Sequence, residues 1–171
     1  MKKLLFAALT SFLMVGAAMG QLPIKKGDVF INANISNFSM NFNDEITYAF
    51  EANGGYFLFD HLALTGGISF ANYWNDARFS ITPYTISSFG INAGARYYFM
   101  ERNKGSFFAD GLMSLWKLEN DDAFFQLQLN AGYAIFLNEH VALEPMITLK
   151  VPFREYYDTV FSIGGGISIY F

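Results

Sequence analysis

The residues that could act as acids, bases or nucleophiles are few in this chain, and their positions argue against a hydrolytic site. The only two histidines, His61 and His140, each stand in a short polar stretch between apolar segments. A serine hydrolase needs a histidine beside a serine, with an acidic group to orient the histidine. Histidines in separate turns do not supply this arrangement. We therefore predict no enzymatic activity and no catalytic residue.

Metal and cofactor sites are not predicted either. The chain has no cysteine, and two separate histidines do not form the cluster of ligands that a metal ion requires. The acidic stretch from Glu119 to Asp122 could attract Ca²⁺, but a solvated loop is the simpler explanation. Gly164 to Gly166 lie inside an apolar segment, where they can admit a large neighbour or ease a bend instead of holding a phosphate.

Charged residues in the middle of apolar segments are the remaining candidates for a site. Arg96 and Asp110 lie at matching distances from one short turn, so a hairpin would bring them to the same height. An unpaired buried charge costs several kcal/mol, so we predict that Arg96 pairs with Asp110 and that Glu144 approaches from the opposite wall. The predicted ion-pair network consists of Glu51, Arg96, Asp110, Glu144 and Lys150.

Extended segments position these residues. Apolar and polar residues alternate with period two, and no segment shows the helical period. Each segment is long enough to cross a bilayer as a tilted strand, which takes about 9–11 residues. The eight predicted strands are 28–39, 46–59, 61–74, 84–100, 106–118, 123–137, 140–151 and 157–171.

The connections between these strands alternate in character. Those after the second, fourth and sixth strands are tight, whereas the others contain more turn-forming or polar residues. The segment Gly55–Leu64 is repeated at Gly132–Leu143, around two of the tight turns, and a degenerate third copy begins at Ala95. Short turns on one side and longer loops on the other predict an all-β, antiparallel up-and-down transmembrane barrel with both chain ends on the periplasmic side.

The two faces of the predicted strands differ in polarity. One face collects large apolar residues such as Leu129, and the other collects every mid-strand charge. An eight-stranded soluble barrel has too little interior space for so many large apolar side chains, so we predict that the apolar face meets lipid. Pro145, inside the seventh strand, predicts a bulge or kink. Aromatic girdles are predicted at Tyr56, Tyr97, Phe99, Tyr133 and Phe171 at one end and at Tyr73, Trp74, Tyr84, Phe124 and Tyr157 at the other.

The N-terminus has the pattern of an export signal. Lys2 and Lys3 precede an apolar run that is too short for a spanning helix, and small residues follow it up to Gly20. We predict that residues 1–20 are a signal peptide and that residues 21–171 form one barrel domain. That domain would carry a net charge of −6, which argues against nucleic acid as a partner.

The last segment of the chain resembles the assembly signal of bacterial outer-membrane barrels. Gly166 is followed by apolar residues at Ile169 and Phe171, with the aromatic Phe171 in last place; Gly164 departs from the pattern, which usually has a polar residue there. Together with the repeat and the strand pattern, it makes the chain resemble the small eight-stranded barrel family that includes OmpX and the barrel domain of OmpA. The resemblance implies insertion into the outer membrane by the barrel assembly machinery, with help from periplasmic chaperones.

The resemblance does not imply one function, because this fold carries adhesins, structural anchors and lipid-modifying enzymes. We predict a structural or surface-interaction protein of the bacterial outer membrane, with side chains plugging the lumen and the outer loops available to an extracellular partner. One alternative is a narrow channel, in which the charged network gates protons or ions, or a transporter that admits a small hydrophobic solute through the lumen. Another is a soluble exported barrel that binds a ligand.

Overall fold

A computed structural model describes residues 24–40, 45–75, 84–102, 104–118, 122–154 and 159–171 of the chain; the side chains of 36–40, 45–48, 72–75 and 84–86 are not included. Eight antiparallel strands form a closed barrel in sequence order, and the last strand pairs with the first. No helix in the described ranges is long and apolar enough to span a membrane. The strands are β1 (Val29–Met40), β2 (Glu45–Phe59), β3 (Leu62–Asn75), β4 (Tyr84–Arg102), β5 (Gly105–Leu118), β6 (Phe124–Phe136), β7 (Val141–Pro152) and β8 (Val160–Tyr170).

This architecture confirms the predicted eight-stranded up-and-down barrel, and each predicted strand overlaps an observed one. The alternation of the sequence is also the alternation of burial. Large apolar residues on the outward face, such as Leu129 and Ile147, are 44% and 47% exposed. The asparagine, glutamine and charged side chains on the opposite face, including Gln128 and Asn130, are buried inside the barrel. The two faces of the barrel are therefore inverted relative to a soluble protein.

The end of the barrel with short connections, here called the tight-turn end, is closed by backbone contacts. His61 has a left-handed backbone with a φ of 70° in the β2–β3 turn, and its amide donates to the carbonyl of Ile24. The Ile24 side chain is only 2% exposed, and the amide of Gly27 donates to the carbonyl of Phe57 at 2.9 Å. The segment before β1 thus turns under the barrel and covers its mouth.

Of the bulge or kink predicted at Pro145, the bulge is absent. The β6–β7 register is the same on both sides of Pro145, with Gly132 opposite Met146 and Ile135 opposite Leu143. There is no bulge; instead, the β6–β7 pairing lapses over two residue pairs, Tyr133 with Pro145 and Ala134 with Glu144. A proline has no N–H to donate, and the β7–β8 ladder, which continues through Pro145 opposite Gly165, holds the strand in register.

The β1–β8 pairing closes the barrel over only part of the two strands. It begins at Phe30 opposite Tyr170 and ends at Ile35 opposite Gly165. Beyond that point β1 pairs with β2, with a one-residue register shift between Ser36 and Ser39, while β8 pairs with β7. The contact between the first and last strands is thus confined to the half nearer the tight turns.

Candidate functional site

Arg96 is the centre of a buried cluster of charges in the barrel interior. It lies directly opposite Asp110 in the β4–β5 register. Its Nε and Nη2 atoms lie 2.9 Å and 2.8 Å from Asp110 Oδ2, and its Nη1 lies 2.7 Å from Glu144 Oε2 on the far side of the barrel. All three side chains are at most 3% exposed. One guanidinium therefore bridges two carboxylates from different walls.

Neutral donors complete the hydrogen bonding of both carboxylates. Glu144 accepts from Asn32 Nδ2 at 3.1 Å and from the Tyr170 hydroxyl at 2.8 Å, in addition to Arg96. Asp110 accepts from Asn130 Nδ2. Hydrogen bonds to a charged acceptor are stronger than neutral ones, so these donors stabilise the carboxylates in a site without bulk water.

A second ion pair lies nearer the loop end of the barrel, which is the end opposite the tight turns. Lys150 Nζ is 3.1 Å from Glu51 Oε1, and both side chains are buried. Gln128 donates from Nε2 to Glu51 Oε2 at 3.1 Å and to Asn130 Oδ1 at 3.3 Å. Because Asn130 also bonds Asp110, one hydrogen-bonded network connects the two ion pairs across the lumen.

The network joins the five charged residues predicted from the sequence. Arg96 and Lys150 face three carboxylates among the interior residues that the structure describes. Each of these charged groups is held by partners within about hydrogen-bond distance. Fixed, mutually satisfied charges across a narrow bore stiffen the wall and leave little room for a solute.

Aromatic side chains fill the interior below Arg96, and sequence analysis missed this layer. Phe30, Phe57 and Tyr170 are fully buried; the Phe30 ring lies 5.8 Å from the Phe57 ring and 5.6 Å from the Tyr170 ring. The Tyr98 and Tyr170 hydroxyls are 2.8 Å apart. These residues share strand parity with the interior charges, which was the available signal. Their position next to outward aromatics such as Tyr97 obscured it.

The internal repeat gives this layer its packing. A Cβ at Gly55 would collide with the Phe30 ring, and a Cβ at Gly132 would lie 2.6 Å from Cζ of Phe108. Arg96 holds the corresponding place in the third copy, just before the outward-facing Tyr97. Its guanidinium carbon lies 5.2 Å from the centre of the Phe30 ring and 4.2 Å from that of Phe108. The two glycines make room for the two rings on which the arginine stacks.

Solved structures with the same architecture are bacterial outer-membrane proteins. The N-terminal barrel domain of Pseudomonas aeruginosa OprF superposes with a TM-score of 0.60 at 15% identity, over 85% of this chain and 98% of that one. Neisserial surface protein A gives 0.61 at 14% identity, over 83% and 95%. Pseudomonas aeruginosa OprG gives 0.61 at 12% identity, over 88% and 99%.

The chain has the fold of the small eight-stranded outer-membrane barrels. No protein-family model and no curated protein matches its sequence. At identities this low, the likeness concerns the fold and leaves the role of this barrel open.

The predicted assembly residues of this barrel lie on both faces of β8. Ile169 and Phe171 point outward and are 43% and 66% exposed, whereas Gly166 faces inward against the Asn34 side chain, where a Cβ would collide. The backbones of Phe171 and Val29 exchange two hydrogen bonds of 2.8 Å and 3.1 Å. The last residue therefore helps to close the barrel. Its recognition during assembly stays a prediction.

Other residues singled out in the sequence are not brought together. His61 Nδ1 lies 3.1 Å from Glu101 Oε1, and His140 Nδ1 lies 3.0 Å from the carbonyl oxygen of Tyr170. Both histidines are at the tight-turn end. Of the predicted girdles, Tyr56, Tyr97, Phe99, Tyr133 and Phe171 all point outward at this end. The signal peptide, residues 119–121, Tyr157 and the side chains of Tyr73, Trp74 and Tyr84 lie outside the described residues. The girdle prediction is wrong for Phe124, which shares the inward face of β6 with Gln126 and packs against Ala49, Ala71 and Trp116.

Proposed function

We propose that this protein is an integral barrel of the bacterial outer membrane, with a structural or surface-interaction role and a lumen plugged by side chains. The observation that carries the proposal is the inverted burial: the apolar face is outside, and the ion-paired network is inside. An exposed apolar surface this continuous requires a lipid environment. The proposal includes no catalytic role.

The interior argues for the structural role over the alternatives. A soluble ligand-binding barrel would have an apolar interior and a polar exterior, which is the reverse of the burial here. A transport route would have to pass both the ion-pair network and the aromatic layer with Ile24 beneath it. The surfaces left for function are the lipid-facing wall and the outer loops, through which an extracellular partner would bind.

Fractionation tests the membrane assignment. Expressed with its signal sequence in a Gram-negative host, the protein should sediment with outer membranes and require detergent for extraction. It should also migrate differently on a detergent gel before and after boiling, because a closed barrel resists unfolding by the detergent. Recovery from the soluble periplasm without detergent would refute the proposal.

Planar bilayers separate the plugged barrel from the channel alternative. The purified protein should give no stable conductance of porin size, because the Arg96 cluster and the aromatic layer occupy the bore. Reproducible channels in the nanosiemens range would establish the channel function instead.

Deletion of Phe171 tests the assembly signal formed by Gly166, Ile169 and Phe171, and with it the proposed partnership with the assembly machinery and periplasmic chaperones. We expect a large loss of folded protein in the outer membrane, because the terminal aromatic is the proposed recognition group. Refolding of the same truncation into vesicles of short-chain phosphatidylcholine, which needs no machinery, is the control for the backbone bonds to Val29. Normal yield in cells would remove the assembly assignment.

A further inference from the structure

The contact between β1 and β8 leaves one half of the barrel seam without backbone pairing. Above Ile35 and Gly165, in the direction of the loop end, segments 36–40 and 160–164 pair with β2 and β7 but not with each other. In hydrocarbon, each unsatisfied N–H or C=O group costs several kcal/mol. The open part of the seam, here called the open seam, therefore presents polar strand edges within the outward apolar face.

Side chains beside the open seam are unusually exposed. Ile35 is 72% exposed, Ile163 is 68% and Phe161 is 61%. Mid-strand residues elsewhere on the outward face are less exposed, for example Ile68 at 41% and Leu129 at 44%. For Phe161 and Ile163, the difference arises because no residue of β1 pairs beside them. Ile35 is paired on both sides, but its β8 partner Gly165 has no side chain to cover it.

An apolar groove of about 470 Å³ lies at the foot of the open seam. Gly165 has no side chain, and those of Ala33 and Pro145 are small. Ile35 and Phe50 line the groove from the β1–β2 side. The groove is largely open to the outside. The groove is continuous with the lipid-facing surface and is shaped for a slender apolar group.

Unpartnered polar side chains lie behind the open seam. Thr148 and Ser162 are opposite each other in the β7–β8 register and are 1% and 4% exposed. Neither hydroxyl has a hydrogen-bond partner in the protein, and Asn34 Oδ1 on β1 has none either. These side chains point into the lumen, so the polar groups that the open seam itself presents are its unpaired backbone N–H and C=O groups. Together with the apolar groove, they are the complement of an amphiphile.

We propose that the open seam binds one membrane lipid. An acyl chain lies in the groove over Gly165, and the ester and headgroup oxygens of the lipid accept hydrogen bonds from the free strand edges towards the loop end. This inference rests on the proposed membrane function. A strand from a second copy fits less well, because the seam narrows to one strand spacing of about 4.8 Å where Ile35 meets Gly165, and an inserted strand needs two such spacings.

Two glycine variants give a matched test. A Cβ at Gly165 meets nothing closer than the Glu144 carbonyl oxygen at 3.8 Å, and a Cβ at Gly111 meets only Leu129 Cδ2 at 3.6 Å. Both positions face outward, so Gly165→Leu and Gly111→Leu add the same group to the lipid-facing wall without a clash. Only Gly165→Leu fills the groove. Ala33→Leu, on the opposite side of the groove, is a second filling variant should Gly165→Leu fold poorly.

Native mass spectrometry of the full barrel in a mild non-ionic detergent, titrated with phosphatidylethanolamine, measures binding. We expect one tightly retained lipid on the wild-type protein and on Gly111→Leu. Gly165→Leu should bind about tenfold more weakly, which corresponds to roughly 1.4 kcal/mol. Ala33→Leu should weaken binding in the same direction.

Three results would overturn the proposal. Equal lipid retention by Gly165→Leu and Gly111→Leu would show that the groove is not the site. A wild-type dimer that Gly165→Leu dissociates would identify a second copy as the occupant. Protection from hydrogen exchange, in lipid-free detergent, of those 160–164 amides that do not bond to β7 would show that the seam closes by itself. In each case, normal fractionation with outer membranes would leave the proposed membrane function intact.

Discussion

Replacing Arg96 by methionine should lower the free energy of unfolding by about 3–5 kcal/mol, the usual cost of removing one partner from a buried ion pair. The guanidinium is the only cation in contact with Asp110 and Glu144 among the described residues, so its loss leaves two buried carboxylates with neutral donors alone. Stacking on the Phe108 ring is lost as well. Equilibrium unfolding by urea in phospholipid vesicles measures the change.

A double-mutant cycle identifies the cause of this loss. Arg96→Met combined with Asp110→Leu should recover part of the stability, because one stranded carboxylate is removed, while Glu144 prevents full recovery. Lys26→Met is a matched control, since it removes one positive charge from an exposed position at the tight-turn end, and should change stability by no more than about 0.5 kcal/mol. Strictly additive losses of Arg96 and Asp110 would contradict their direct contact.

Leu129→Arg is expected to destabilise the barrel in bilayers by about 2–4 kcal/mol, the cost of an arginine on the lipid-facing side near the middle of the membrane. Leu129 points outward and is 44% exposed, whereas its neighbour Asn130 is buried in the lumen at 4%. Asn130→Arg should cost less, because Asp110, which already accepts a hydrogen bond from Asn130, can pair with the new cation.

Reversible unfolding in vesicles of matched acyl-chain length compares the two variants. Leu129→Met serves as the control for loss of the leucine shape, and a volume-conserving exchange of this kind should cost less than about 1.5 kcal/mol. Equal destabilisation by Leu129→Arg and Asn130→Arg would mean that the assignment of Leu129 to the outer face and Asn130 to the inner face is wrong.

Local pattern was sufficient to predict much of this barrel. Strand number, the inward and outward faces and the Arg96–Asp110 pairing all follow from period two and from one short turn, because a tight hairpin fixes the register of its two strands. Contacts across the lumen are different. That Lys150 reaches Glu51 and that Gln128 links the two ion pairs depends on the shear of the closed barrel, which no single hairpin determines.

Two features could not be read from the pattern, for distinct reasons. The aromatic layer around Phe57 and Tyr98 shares its parity with the polar lumen, and an aromatic residue near a strand end is equally compatible with an interfacial girdle. The open seam lies between strands from opposite ends of the chain. The register of these two strands is set by closure of the whole barrel. Pro145 was recognised as irregular, but the adjoining β7–β8 ladder decided that the irregularity is a lapse in pairing without a bulge.

The packing of Gly55, Gly132 and Arg96 around two phenylalanine rings constrains how the sequence can change over generations. The three hairpin copies are not free to diverge separately, because a larger residue at either glycine would displace Phe30 or Phe108, on which the arginine rests. A viable lineage would exchange these positions together, so descendants that lose the arginine should also show a changed residue at one of the rings or glycines. Substitutions in one copy of the hairpin therefore restrict which substitutions the other two copies can accept.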